Sequence, residues 1–303
     1  MSAITIEGLV KEYSTTTAVR DFDLKIKRGE VFGFLGPNGA GKSTIIDLLL
    51  GFREPTDGEI SILGHNPEDS PYTVRKHIGV LPDNYSLYDH LTGREHVEYA
   101  TQIGEFDIKP KSILERVGLE GEGDQRAKGY SKGMRQRLAL GIALVGNPEI
   151  LILDEPTTGI DPNGVQEFQA IINQESNNGT TVFFSSHSLE QVQAVCDRIG
   201  IIDAGELLTV SKIDELRKSL NRDSTLVLTV DTVPDNHGLL DLNHVNNVSE
   251  TDTTLRIDCT DPSAKSSVIN CVETAGATVT DINVENASLA DLFEKVTNGG
   301  YRE

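Results

Sequence analysis

Residues 31–50 have the sequence VFGFLGPNGAGKSTIIDLLL, and the organisation of the whole chain follows from this stretch. The apolar run Val31–Leu35 predicts a buried strand. A glycine-rich turn follows it, and a helix is then indicated by apolar residues at helical spacing, namely Ile45, Ile46, Leu48 and Leu49. A strand, a glycine-rich loop and a helix in this order are typical of an α/β fold.

The turn matches the phosphate-binding P-loop pattern in full. Its glycines permit backbone conformations that aim successive N–H groups inward, which forms a concave site for phosphate oxygens. Lys42 can reach the β- and γ-phosphates, and Ser43 offers a hydroxyl to Mg²⁺. A chance glycine turn is disfavoured because strand, loop and helix agree. Nucleotide contacts are therefore predicted for Gly36, Pro37, Asn38, Gly39, Ala40, Gly41, Lys42, Ser43 and Thr44.

Length and charge limit the possible functions. A chain of 303 residues can form one large α/β domain and a smaller second one. Its net charge of −20 argues against a general affinity for nucleic acid or anionic membranes. Residues 224–303 contain 13 Asp or Glu and 4 Lys or Arg. Adaptation to high salt and ordinary solubility charge both explain this acidity.

The cysteines and the apolar runs point to a reducing compartment without a membrane anchor. Cys196, Cys259 and Cys271 have no CxxC spacing, which favours buried thiols over disulfides or metal ligands. The N-terminus lacks the basic and apolar segments of a signal peptide. No apolar run approaches the roughly 20 residues of a membrane helix. We expect a cytoplasmic protein that reaches a membrane only through a partner.

The first 220 residues alternate strands and helices, which predicts parallel βαβ units. A short helix is expected near residues 72–77, and a helical insertion at about 92–147. The predicted strands, besides the first, are 4–9, 18–26, 58–63, 78–81, 149–153, 181–185 and 199–202.

A second pattern begins after residue 220, and residues 221–303 are predicted to form a small acidic α+β domain. Residues 226–230 and 255–259 alternate as strands do. Residues 232–249 are rich in turn formers and show little periodicity. Residues 288–296 predict a helix with one apolar face.

Residues 149–155, EILILDE, predict an apolar strand that ends in two carboxylates. A strand directs alternate side chains to opposite faces, so Asp154 and Glu155 can have different roles. Asp154 is expected to help hold Mg²⁺, and Glu155 to orient or deprotonate an attacking water. A surface Asp–Glu pair is the alternative, which the P-loop upstream disfavours.

The segment 130–137, YSKGMRQR, completes a set of motifs. Together the P-loop, this Ser-x-Gly segment, the strand ending in Asp154 and Glu155, and His187 resemble the ATP-binding cassette (ABC) ATPases. Where the common family form is Leu-Ser-Gly-Gly-Gln, this chain has Tyr-Ser-Lys-Gly-Met. Ser131 and Gly133 remain, and at a helix N-terminus they can bind a γ-phosphate.

The resemblance implies a P-loop NTPase fold with a RecA-like core sheet, and a head-to-tail dimer with two ATP molecules at its interface. Asp161 resembles the loop residue that touches across the dimer, and it also suits a helix N-cap. His187 resembles the histidine that contacts the γ-phosphate and the catalytic water, beside Lys42 and Glu155. Tyr13 resembles the aromatic residue that stacks on adenine, although a half-buried strand tyrosine is an alternative.

One position departs from the family pattern. The family usually has glutamine where this chain has Asp83, which can lie near Mg²⁺ but cannot donate as an amide does. Acidic residues at this position resemble the branch that pairs with separate membrane subunits of the ABC-2, export type. The signature segment and the C-terminal appendage resemble the same branch.

The leading hypothesis is an ATP- and Mg²⁺-dependent ATPase subunit that drives a separate permease from the cytoplasmic face of the membrane, as a cassette homodimer or heterodimer. Residues 83–99, with Tyr85, Leu87, Tyr88 and Leu91, are the predicted partner-facing groove. A soluble ABC clamp acting on ribosomes or DNA is an alternative, but it needs basic surface. A weakly hydrolysing partner of a heterodimer is another, which Asp83 and Lys132 keep open.

Overall fold

The computed structural model of the chain describes residues 1–213, 215, 224–234, 237–261 and 263–286. The chain divides into two compact units, Met1–Ser211 and Lys212–Glu303. The sequence pattern had placed the change near residue 220. The described residues form two sheets in the first unit and one in the second, and each unit has its own core.

The first unit is built on a six-stranded sheet. From one edge to the other, its neighbours are β5 (Ile78–Leu81), β6 (Ile150–Asp154), β7 (Thr181–Ser186), β3 (Val31–Leu35), β8 (Arg198–Asp203) and β9 (Glu206–Lys212). The first five of these run parallel. Every residue of β3 and β7 is buried, as expected for parallel strands that are covered on both faces. The predicted parallel α/β core is confirmed.

A second, antiparallel sheet packs onto the same core. It contains β2 (Thr16–Lys27), β1 (Ser2–Tyr13) and β4 (Asp57–Ile62), in that order. β1 and β2 form a hairpin that is longer than the two predicted strands, so Tyr13 is the last residue of β1. Phe22 of this sheet contacts Phe34 of β3 edge to face, with ring centroids 5.9 Å apart. Such aromatic contacts join the two sheets.

The helices of the first unit are of two kinds: those that connect the strands, and those of an insertion between β5 and β6. The core helices are α1 (Lys42–Leu49), α2 (Pro71–Lys76), α6 (Pro162–Asn177) and α7 (Leu189–Gln193). The segment between β5 and β6 contains α3 (Gly93–Ile103), α4 (Pro110–Arg116), a 3₁₀ turn (Ala127–Gly129) and α5 (Lys132–Ala143). Among the described residues, no helix has the length and apolar character needed to span a bilayer.

The second unit is a four-stranded antiparallel sheet with one helix, α8 (Ala264–Thr274). The strand order is β11 (Val245–Thr251), β12 (Thr254–Cys259), β10 (Ser224–Val230) and β13 (Val279–Asn286). Apolar side chains of the sheet and of α8 form a separate core, which includes Leu226, Leu228, Ile257, Val268 and Val272.

Strand β11 corrects the expectation of an irregular segment at 232–249. Only Val245 and Val248 give it apolar character, and its pairing partner β12 is what makes it a strand. Strand formation here depends on a tertiary contact more than on local propensity. The helix expected at 288–296 lies outside the described residues.

A buried ion pair joins the insertion to the core. Arg116, at the end of α4, donates to both carboxylate oxygens of Glu175 in α6, at 3.1 and 2.6 Å. The Glu175 side chain is only 2% exposed. Arg116 also donates to Asn147 Oδ1 at 2.7 Å, which further fixes the guanidinium. Removing the arginine would leave a buried carboxylate without its partner.

We therefore expect Arg116→Met to lower the free energy of unfolding by about 3 kcal/mol, the scale for an uncompensated buried charge. The measurement is urea denaturation of the full chain. Arg94→Met is the matched control, because the Arg94–Asp124 pair is exposed to solvent and should contribute little to stability. Equal losses in the two variants would contradict the prediction.

Candidate functional site

A cavity of about 440 Å³ opens at the carboxyl ends of β3 and β6. Parallel strands end at the same edge of a sheet, so motifs that are far apart in sequence meet there. The predicted site residues that line this cavity are Asn38, Gly39, Gly41, Lys42, Ser43, Thr44, Asp83, Asp154 and Glu155.

The loop between β3 and α1 has the geometry that its glycines predict. Gly39 and Gly41 have φ angles of +84° and +108°, in the left-handed region. A Cβ at residue 41 would also lie 2.7 Å from the carbonyl oxygen of Ala18. Lys42, which begins α1, is buried and donates to the carbonyl oxygens of Gly36 at 2.7 Å and Pro37 at 3.2 Å.

Glu155 lies between a lysine and a histidine. Its Oε1 is 3.4 Å from Lys42 Nζ, and its Oε2 is 2.8 Å from His187 Nδ1. Oε1 is buried and accepts no hydrogen bond. Glu155 also has a φ of +47°, which is rare for a residue with a side chain. A partly buried, conformationally constrained carboxylate in a polar cavity is typical of a functional group.

Asp154 lies beside Glu155 and differs from it in environment. Burial raises the pKa of its carboxyl group, and the neighbouring Asp83 and Glu155 raise it further. A hydrogen bond from Ser185 Oγ to Asp154 Oδ1, at 2.5 Å, acts in the opposite direction on this pKa. The proton on this group is therefore held more tightly than on an ordinary aspartate.

The donor set of the cavity suits Mg²⁺ bound together with phosphate. Ser43, Asp83 and Asp154 all line the cavity and offer oxygen atoms. Among the described residues, no group of three or more His, Cys, Asp or Glu could hold a metal ion. Magnesium commonly takes one or two carboxylates and completes its shell with water and phosphate oxygens. These residues fit that pattern.

Tyr13 does not line the cavity in this structure. Its ring is 39% exposed, and two cations flank it: Lys11 Nζ at 5.3 Å and the Arg53 guanidinium carbon at 5.5 Å from the ring centroid. These contacts arise where β1 ends, next to the turn that leads to β2. The proposed stacking on adenine stays a prediction.

Ser131, Gly133 and Asp161 also lie outside the cavity, but near one another. Ser131 caps α5, and its Oγ accepts a hydrogen bond from Met134 N–H at 3.2 Å. Asp161 caps α6 and accepts from Gly164 N–H at 3.0 Å. A Cβ at Gly133 would lie 3.6 Å from Gly164 Cα, so the two helix N-termini are in close contact.

Sequence reasoning missed six of the residues that line the cavity. They are Thr16, Thr17, Ala18, Arg20, Ala204 and Gly205. Most of these residues have no motif of their own, and they reach the P-loop only through the β1–β2 hairpin and the turn after β8. Gly205 has a φ of +84°, and its N–H donates to Ala40 at 3.0 Å. The Ala-Gly turn after a buried strand was the available signal.

Comparisons with known protein families agree with this geometry. Residues 19–158 match the family described as ABC transporter. Residues 212–297 match the C-terminal domain of DrrA1-3-like ATP-binding proteins. The first match lies within the first unit and the second within the second unit.

Relatives and solved structures are similar over most of their lengths. The chain is 33% identical to the linearmycin resistance ATP-binding protein LnrL of Bacillus subtilis, over 98% of this chain and 99% of that protein. It is 35% identical to the bacitracin transport ATP-binding protein BcrA of Enterococcus faecalis, over 98% and 97%. An ATP-binding subunit of an ABC transporter superposes on 73% of this chain and 94% of its own, with a TM-score of 0.64 and 28% identity.

A further solved structure is a cassette dimer. It is the ATP-binding cassette MJ0796 in a post-hydrolysis state bound to ADP and Pi. It is 25% identical and has a TM-score of 0.62, with coverage of 69% of this chain and 98% of its own.

The environment of Asp154 predicts a pH-dependent change in stability. Because its pKa is raised in the folded chain, ionisation of Asp154 destabilises the fold as the pH rises through that value. We expect Asp154→Asn to raise the melting temperature of the nucleotide-free chain at pH 7 to 8. The gain should shrink as the pH falls below the usual aspartate range. Thermal melts across a pH series measure both effects.

Asp231→Asn is the control, for which we expect a change in melting temperature of opposite sign. Hydrogen bonds from the backbone N–H groups of Thr278 and Thr232 lower the pKa of Asp231. This variant should melt at a lower temperature than the parent at pH 7. A lower melting temperature for Asp154→Asn at the same pH would contradict the prediction.

Proposed function

The chain belongs to the ABC transporter family of ATP-binding proteins, and we propose that it hydrolyses Mg²⁺–ATP between two cassettes to drive an export-type permease. Members of the family bind and hydrolyse ATP in order to power transport, and this chain is such a subunit. The proposal concerns the residues that act, the second cassette and the membrane partner.

The observation that carries the proposal is the position of the Glu155 carboxylate. One of its oxygens is 3.4 Å from Lys42 Nζ and the other is 2.8 Å from His187 Nδ1. Lysine can neutralise the charge of a γ-phosphate, and the carboxylate can orient or deprotonate a water that attacks it in line. Histidine can hold the carboxylate and contact the same phosphate.

Several other residues of the cavity are then expected to bind the nucleotide or Mg²⁺. The P-loop N–H groups bind the β- and γ-phosphates, and the α1 dipole favours the same anion. Ser43, Asp154 and Asp83 would hold Mg²⁺ together with phosphate oxygens, which supplies charge neutralisation when the ion is bound. Arg20 and Ala18, which also line the cavity, are proposed to contact the nucleotide as well.

The signature residues support a two-cassette arrangement. Ser131 and Gly133 lie outside the cavity of their own chain, although their chemistry suits a γ-phosphate. We propose that they contact ATP held by a second cassette, and that Asp161 lies near the same interface. Closure around two ATP molecules and opening after hydrolysis would then move the partner.

The partner is proposed to be a permease in the membrane, which would place this subunit at the cytoplasmic face. The relatives are named for linearmycin resistance and for bacitracin transport, two different compounds. The choice of compound is therefore expected to reside in the permease, whereas the energy comes from this chain. We propose export, because resistance to one compound and transport of the other both fit removal of the compound from the cell.

The predicted partner-facing segment, residues 83–99, needs one correction. Leu87 is buried and so is not free to contact a partner. Tyr85 is partly exposed and donates to Gln136 Oε1 at 2.8 Å. Tyr88 and Tyr99 are 54% and 52% exposed, and their rings meet edge to face at 6.4 Å. These two tyrosines form the exposed aromatic surface that we assign to the permease.

Glu155→Gln tests the hydrolytic role. The variant keeps the size and the acceptor oxygen but cannot take a proton, so we expect phosphate release to fall by at least about 100-fold, the lower range for loss of a general base. ATP binding should persist and a nucleotide-bound dimer should accumulate. Phosphate release over a series of protein concentrations, together with light scattering, measures both.

Glu190→Gln is the matched control, because Glu190 is an exposed carboxylate outside the cavity. It should behave as the parent does. A parent chain that binds ATP but releases no phosphate at any concentration or salt would refute the proposal. The weakly hydrolysing heterodimer partner, with Asp83 in place of glutamine, would then be the better hypothesis.

Tyr88→Glu and Tyr99→Glu test the permease surface. A charge in an apolar interface is disfavoured, so transport by the assembled complex should fall severalfold while ATP hydrolysis by the free subunit stays the same. Leu208→Glu places the same charge on an exposed apolar residue of β9 and should leave transport intact. Normal transport in both tyrosine variants would exclude this surface.

A further inference from the structure

Gln191, in the short helix α7, accepts hydrogen bonds from two different segments of the chain. Its Oε1 lies 2.6 Å from Thr157 Oγ1 and 3.0 Å from Ser186 Oγ, and both hydroxyls donate to it. Thr157 follows Glu155 by two residues. Ser186 directly precedes His187. One amide oxygen is therefore bonded to both of the segments that carry the Glu155–His187 contact.

Both hydroxyl donors are shielded from solvent. Thr157 is 1% exposed and Ser186 is fully buried, so water cannot readily take the place of the amide oxygen. A buried hydroxyl that loses its acceptor keeps the cost of its desolvation. Without the oxygen of Gln191, the two segments would either move to find other partners or keep unsatisfied donors.

The position of Gln191 in α7 does not account for these contacts. Gln191 is the third residue of the helix, where a glutamine can accept from the backbone N–H of the N-cap residue. Ser188 is the N-cap, and its N–H donates instead to Ser186 Oγ at 2.9 Å. The start of the helix is thus satisfied by another residue, and the amide oxygen of Gln191 serves the two neighbouring segments.

The Ser186 hydroxyl holds the backbone on both sides of His187. It belongs to the residue before His187, and it accepts from the N–H of Ser188, the residue after it. The His187 side chain is 50% exposed, and its Nδ1 lies 2.8 Å from Glu155 Oε2. Because half of the side chain faces solvent, its direction depends on the backbone that carries it. Gln191 fixes the hydroxyl that fixes this backbone.

The segment that carries Glu155 is held at two points. The Glu155 N–H donates to the Ser185 carbonyl oxygen at 3.2 Å, and two residues later Thr157 donates to Gln191. Pro156 lies between these points, and its ring restricts φ. Glu155 itself has a positive φ, a conformation that persists only when its surroundings impose it. The bond to Gln191 is one of these constraints.

We propose that Gln191 is a positioning residue that holds the Glu155 carboxylate and the His187 ring in the relative position required for attack of water on ATP. The inference rests on the proposed function, in which Glu155 acts on the water and His187 contacts the γ-phosphate. Gln191 is not among the residues that line the cavity, so its effect is on placement and not on nucleotide binding.

Gln191→Leu removes the acceptor oxygen and keeps a side chain of similar size. We expect kcat for phosphate release by the full chain to fall by roughly 10- to 100-fold, the scale for displacing a catalytic group by about 1 Å. KM and the affinity for ATP should change little, because the P-loop is untouched. Phosphate release and equilibrium ATP binding measure the two effects separately.

Three further variants separate placement from a general loss of packing. Gln191→Glu keeps an acceptor oxygen and should retain most of the activity. Gln193→Leu makes the matched change two residues later in α7, on a different side of the helix, and should have no effect on kcat. Thr157→Val removes one donor and keeps the shape of the side chain. It should lower kcat, and its combination with Gln191→Leu should be no worse than Gln191→Leu alone.

The ring of His187 gives a readout that does not depend on hydrolysis. In NMR spectra of the nucleotide-free chain, the Cε1–H signal of His187 can be assigned with the variant His187→Gln. This signal should shift or broaden in Gln191→Leu, because the ring loses its fixed contact with Glu155. It should stay in place in Gln191→Glu and in Gln193→Leu.

Three results would overturn the inference while leaving the proposed function intact. The first is an unchanged kcat in Gln191→Leu, and the second is an unchanged His187 signal in the same variant. The third is a Gln191→Glu variant as inactive as Gln191→Leu, since an acceptor oxygen would then not restore the placement. Absence of phosphate release from the parent chain would instead refute the proposed function, whereas the His187 signal would still support or overturn the positioning by Gln191.

Discussion

The Glu155 carboxylate is shared between Lys42 and His187, and the arrangement of the cavity depends on this contact. Its two oxygens lie 3.4 Å from Lys42 Nζ and 2.8 Å from His187 Nδ1. The three residues follow β6, β3 and β7, which are neighbours in the parallel sheet. The register of these strands, with Asp154 opposite Ser185, is what brings the groups to one edge.

Bringing these charged groups to one edge of the sheet destabilises the nucleotide-free chain. Burial and two neighbouring carboxylates raise the pKa of Asp154, and Glu155 keeps a buried oxygen without a hydrogen bond. Glu155 also occupies a backbone conformation that side chains rarely adopt. Local rules of stability are broken together at one place, which is the pattern expected where a protein binds a highly charged ligand. The surrounding strands are apolar and fully buried, and they keep these groups in place.

Local sequence motifs identified part of this molecule, and they failed where tertiary packing decides the outcome. The P-loop, the two carboxylates and His187 were identifiable because each follows a buried apolar strand in a recognisable pattern. Six P-loop residues and both carboxylates line one cavity, whereas His187 is not among the lining residues and contacts Glu155. Leu87 was assigned to a partner surface, yet it is buried, because exposure depends on packing that no local pattern encodes. Strand β11 was missed for the same reason, since only its pairing with β12 makes it a strand.

The sequence by itself determined the parallel α/β core and the chemistry of the phosphate site, because glycine, lysine, serine and paired carboxylates act through local geometry. Tertiary structure alone decided that residues of β2 and of the turn at Gly205 line the cavity together with the P-loop. Contacts between residues far apart in the chain arise only when the sheet assembles, so the sequence could name these residues but not bring them together.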